Sequence, residues 1–212
     1  MSNLRFLQLG WVVAAAVIGV TVAGGFQDKT DKIGVVDISK VVEQSDFGKA
    51  NQEMFAKMKT AREGLLEFID TYRVLTPEQA TRIRELSLKA NLTKEESAEL
   101  DRIKAEVVAT SKRSTELSTK PNMTPEERNL VEDFARRSQN MNDVATRWFR
   151  EFTSDMQSWA DKQKLDSIEK ARAAIQEVAK QQMYTVVFEV GVAPYGANDL
   201  SDETLKAMNA KK

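Results

Sequence analysis

Hydrophobic positions along this chain change period from one segment to the next. An uncharged and mostly apolar run, Phe6 to Phe26, gives way to a short β-branched segment, Ile33-Gly34-Val35-Val36-Asp37-Ile38. Apolar residues three and four apart then dominate the middle of the chain, and strand-like alternation returns at Tyr184 to Val190. Period 2 marks a strand with one buried face and period 3.6 an amphipathic helix. The pattern therefore predicts a mainly α protein with a small β body, an α+β class, in which the two ends meet as a short-stranded sheet. A long helical excursion leaves that sheet and comes back to it.

The excursion carries two stripes. Phe47, Ala50, Met54, Met58, Ala61, Leu65, Phe68 and Tyr72 form a coiled-coil-like outgoing seam. Leu130, Phe134, Met141, Ala145, Trp148, Phe152, Met156 and Trp159 form a returning one, continued by Ile168, Ile175 and Val178. Unbroken, residues 125–182 would make a helix of roughly 87 Å, which needs an antiparallel partner to bury its stripe. Trp148, Phe152, Met156 and Trp159 read as the core of that hairpin, while Phe149 lies about 100° off the seam.

Between the legs a helix-start signature recurs. Thr76-Pro77-Glu78-Gln79, Thr93-Lys94-Glu95-Glu96 and Thr124-Pro125-Glu126-Glu127 each read as a capping box. They predict helices beginning near 77, 94 and 125, so short helices are inserted around 76–123. Pro121 forbids a continuous helix, which makes Lys120-Pro121-Asn122-Met123 the expected hairpin tip.

On the closing strand Val186, Phe188 and Val190 share one face, and Thr185, Val187 and Glu189 share the other. Val192-Ala193-Pro194-Tyr195 reads as a third extended piece, edged by Pro194. A final amphipathic helix carries Leu205 and Met208, with Ser201 as its expected N-cap. Residues 26–45 and 183–212 thus make a body, and 46–182 an arm. So small a body has a marginal core and an open sheet edge. Several copies pooling Ile33, Val35, Val36, Val186, Phe188 and Val190 around a shared core would resolve both problems.

Residues 1–25 read as a signal peptide, with Trp11 to Val20 as its apolar core and small residues near Ala23 for cleavage. An uncleaved N-terminal anchor is the alternative, because the apolar stretch approaches the length that spans a bilayer. Either reading places the remainder outside the cytoplasm.

Composition narrows the chemistry. The chain has 212 residues, 42% hydrophobic and 30% charged, with neither Cys nor His. Disulfides, thiolate metal sites, lipobox anchoring and the commonest general base are all excluded. The arm holds 24 basic and 24 acidic residues, so no nucleic-acid partner is expected. Gly191 and Gly196 lack the Lys-Ser/Thr of a phosphate loop, and Ala197-Asn198 stands there instead. Carboxylate pairs such as Glu95-Glu96 and Glu126-Glu127 fall in first helical turns, where they favour the helix dipole. No cofactor, metal or catalytic residue is expected; the chain does not read as an enzyme.

Lys32-Ile33-Gly34-Val35-Val36-Asp37 followed by Lys40-Val41-Val42 resembles the first strand and helix of the Skp/OmpH family of periplasmic chaperones. The stretch Val186 to Gly196, then Asp199-Leu200-Ser201-Asp202-Glu203-Thr204-Leu205, is similar to that family's final strands and short last helix. The resemblance implies a homotrimer whose sheets close into a barrel-like body, with three helical arms around a cavity. It implies an ATP-independent holdase for unfolded outer-membrane and envelope proteins in the periplasm. Contact with the membrane surface is a separate expectation. Phe149, and more adaptably Met54 and Met58, are the side chains expected to meet a client. The other function class compatible with the pattern is a membrane-tethered structural spacer of the envelope with coiled-coil arms.

Overall fold

The computed structural model describes residues 32–194, 196 and 198–210; the expected signal or anchor segment lies outside them. Strand β1 (Ile33–Val36) leads into α1 (Ile38–Gln44) and α2 (Asp46–Thr71), followed by α3 (Pro77–Leu88) and α4 (Lys94–Ser118). Helix α5 (Pro125–Gln181) returns to β2 (Val186–Glu189), and α6 (Ser201–Ala210) closes the fold. The two strands pair in parallel, Ile33 opposite Val186 and Val36 opposite Glu189. A parallel pair needs a crossover connection. Here the crossover is the whole arm.

The sheet has two unlike faces. Val36 and Val187 turn inward, packing with Val41, Ala171, Ala174 and Met208 from α1, α5 and α6. On the outer face Ile33, Val186, Phe188 and Val190 are exposed, Phe188 by 40%. Val35 shares that face but is buried within its own chain, because the backbone at Gly196 crosses directly over it. A Cβ at Gly196 would sit 2.5 Å from Val35 Cγ1.

Two readings of this region need correction. Val192 and Ala193 form no third strand; their N–H groups donate to the Glu189 carbonyl in a turn. The third contact with β1 comes later, where Val35 N–H donates to Asn198 O and Leu200 N–H to Val35 O, each at 2.8 Å. Nor does Ser201 cap α6. It is already helical, and the Leu200 carbonyl accepts from Thr204 N–H. The Ser201 hydroxyl instead donates to Asp199 Oδ1 and accepts the N–H of Asp37, which ties the start of α6 to the start of α1.

A break between α1 and α2 marks the root of the arm. Ser45 Oγ accepts from Gly48 N–H, and a Cβ on Gly48 would collide with the Val42 carbonyl at 1.9 Å. All three expected capping boxes form, with Thr76, Thr93 and Thr124 as N-caps and Gln79, Glu96 and Glu127 returning the bond. Helix α5 runs unbroken for 57 residues, about 86 Å at 1.5 Å per residue.

The outgoing leg is not one helix but a zigzag. After α2, Val74 lies beside α5, its carbonyl accepting from Arg137. Helix α3 then folds back toward the body, carrying Arg84 to Glu151 at 2.8 Å. Helix α4 turns outward again through Arg82–Glu99 and Lys89–Glu96, and the chain reverses into α5 at Lys120–Glu127. Ile69, Leu75, Ile83, Leu86, Val107, Leu117 and Met141 are buried in one continuous core shared by α2 to α5. Beyond its root the arm is therefore a bundle rather than a bare hairpin.

Candidate functional site

Helix α2 shows why the expected seam is displaced. Leu65 is buried, but Ala50 is exposed and Met54 is 51% exposed. The face turned to α5 contains Asn51, Phe55, Met58, Arg62, Leu65 and Ile69, spaced four and three apart. Two polar residues in that row disguised it. A second row, Ala61, Leu65 and Phe68, faces the inserted helices, where Lys104 of α4 lies 5.6 Å from the Phe68 ring. With partners on two sides, α2 needs a wider apolar stripe than a simple hairpin leg.

Where α2, α3 and α5 meet, Trp148 and Phe152 are nearly fully buried. The Arg84 guanidinium lies 5.2 Å from each ring, and that of Arg62 lies 5.5 Å from Phe152. Closer to the body Trp159 is half-buried, with its ring centroid 6.0 Å from that of Phe55. Met156 is half-buried too, and its side chain borders open space.

That space is a cleft of about 360 Å³ between α2 and α5. Phe55, Leu66, Phe152 and Met156 supply apolar lining, with Lys59, Arg62, Glu63, Thr153 and Gln157 at the polar margins. Phe149 lines it while remaining 61% exposed, one residue past the buried Trp148. The helical rotation between neighbours accounts for the difference. Met54 and Met58 do not line this cleft. Met54 points elsewhere on α2, and the Met58 carbonyl accepts from Arg62. Phe55 and Arg62 are not marked as site residues by the sequence: Phe55 lies one position off the Met54–Met58 seam, and Arg62 is a charge inside an apolar face.

The carboxylates near the helix starts are structural in their contacts. Glu96 is held below its ordinary value by the Lys89 ammonium, then by the Thr93 N–H, and Glu127 in the same way by Lys120 and Thr124. Among the described residues no group of His, Cys, Asp and Glu side chains is arranged to hold a metal ion. None of their helices is long and apolar enough to cross a membrane.

The described residues build a long helical arm on a small two-stranded sheet, with an apolar cleft between α2 and α5. Residues 32–208 match the family model described as outer membrane protein (OmpH-like). The chain belongs to this OmpH-like family, which is consistent with a chaperone role toward outer-membrane proteins. No curated protein and no solved structure matches it.

Proposed function

We propose that this protein is an ATP-independent holdase that keeps non-native outer-membrane and envelope proteins from aggregating in the periplasm. The observation that carries this reading is the open α2–α5 cleft, with the exposed Phe149 ring presented at its side. An exposed aromatic ring contributes most when an apolar segment covers it. Three copies would join through the outer sheet faces, where Ile33, Val186, Phe188 and Val190 are exposed in a single chain. Their arms would surround a common cavity, and clients would be held there by many weak contacts. Export by the segment 1–25 belongs to the same reading, as does contact with the membrane surface.

The test is suppression of aggregation of an unfolded β-barrel protein diluted from denaturant, with no nucleotide present. Suppression at near-stoichiometric trimer is the expected result. Unchanged light scattering at large excess of the protein would overturn it. Recovery of the native protein in membranes with residues 1–26 intact would favour the tethered spacer instead.

A further inference from the structure

Arg62 differs from the other arginines buried in the arm. Among the described residues four arginines are half-buried, and three of them hold carboxylates: Arg82 on Glu99, Arg84 on Glu151 and Arg137 on Asp133. Arg62 holds none. Its Nη1 donates to the Met58 carbonyl, one turn back, at a long 3.3 Å, and its Nε is buried without an acceptor. The Phe152 ring at 5.5 Å is its other support. A cation–π contact replaces only part of what a buried cationic donor loses on leaving water. The neighbouring Lys59 and Glu63 face each other at 3.7 Å. Arg62 therefore leaves the cleft margin with an excess positive charge beside an apolar lining.

We propose that the α2–α5 cleft is a subsite for an apolar protein segment that carries a carboxylate next to a bulky side chain. The bulky side chain packs on Phe149 and the apolar lining, and the carboxylate goes to Arg62. This rests on the holdase reading and names which segments the arm prefers. A guanidinium presents Nε and one Nη as a planar fork that a carboxylate accepts side-on. Such a bond would satisfy Nε, at the expense of a rotamer change in a loosely held side chain. A segment bearing Lys at the same place would set a third cation beside Arg62 and Lys59 and be disfavoured.

The experiment uses the full protein and three end-blocked fluorescent heptapeptides, identical except for Glu, Gln or Lys next to a central Phe. Fluorescence anisotropy is expected to show the Glu peptide binding about tenfold more tightly than the Gln peptide, with the Lys peptide weakest. Arg62→Gln should abolish the preference for Glu over Gln, and Arg62→Lys should retain part of it. Phe149→Ala should weaken all three peptides alike, and thermal melts of each variant establish that it is folded. Equal binding of the Glu and Gln peptides to the native protein, or a Glu preference that survives Arg62→Gln, would overturn the subsite. Peptides without preference alongside intact suppression of aggregation would refute the subsite and leave the holdase reading standing. A Glu preference that depends on Arg62 without any suppression would do the reverse.

Discussion

In the distal arm, Ile69, Ile83, Leu86 and Val107 are enclosed by neighbours from the same chain, whereas on the outer sheet face Ile33, Val186, Phe188 and Val190 stay exposed. The inserted helices α3 and α4 also find one another through partners nearer in sequence than those that close the body. Lys89 meets Glu96 seven residues on, and Arg82 meets Glu99. In the body, Ile33 pairs with Val186, and Asp37 bonds to Ser201 across 164 positions. Local contacts form cheaply, while long-range strand pairing pays loop-closure entropy before it gains anything. The arm's bundle is thus complete in one copy. The sheet, two strands with an apolar outer face, would gain its missing cover from the proposed association of copies.

The sharpest way to break this contrast is Phe188→Asp. Placed in a shared core, an unpaired carboxylate costs several kcal/mol per copy. Sedimentation should show an oligomeric native protein and a monomeric variant whose arm keeps its helical circular dichroism. A native protein that sediments as a monomer at micromolar concentration would end the pooled-core reading.

Inside the arm, Phe152→Ala should destabilise by about 3–5 kcal/mol and Ile83→Ala by about 2–5 kcal/mol, since both side chains are buried in the bundle. Met54→Ala should stay within about 0.5 kcal/mol. Urea unfolding separates these cases, and equal midpoint shifts for Met54 and Ile83 would restore the seam read from spacing. Removing a cap is milder. Thr93→Ala and Thr124→Ala should each cost about 1 kcal/mol, seen as faster hydrogen exchange in the first turns of α4 and α5.

Acid should act on the same caps. Glu96 and Glu127 titrate below their ordinary value of 4.5, chiefly through Lys89 and Lys120. A lowered folded-state value stabilises above the unfolded one, so the contribution is complete above pH 4.5 and fades as pH falls through the lower folded values. Because these groups are exposed, the effect is small and salt-screened. Hydrogen-exchange protection factors, taken relative to intrinsic rates, should fall at the α3–α4 and α4–α5 turns below pH 4.5, and Glu96→Gln should flatten that fall at the first turn.

Phe149→Ala should match Met54→Ala in costing no more than about 0.5 kcal/mol of stability, because its ring is mostly exposed. Its loss should appear in aggregation suppression instead. A melting shift as large as that of Trp148→Ala would place Phe149 in the core and remove it as a client contact.

The sequence by itself determined what depends on neighbours a few residues away. Thr76, Thr93 and Thr124 specify helix starts because each cap bonds within three residues, and Pro121 ends α4 through its own ring. The burial of Trp148 beside the exposure of Phe149 also follows from helical geometry once the stripe is seen. Tertiary structure alone decided that α3 folds back so that Arg84 reaches Glu151, turning the expected hairpin into a bundle. It also rotated the α2 face toward Phe55 and Ile69, and carried the backbone at Gly196 over Val35. Each of these depends on which distant surface a segment meets, and an amphipathic stripe states that a face must be buried without stating against what.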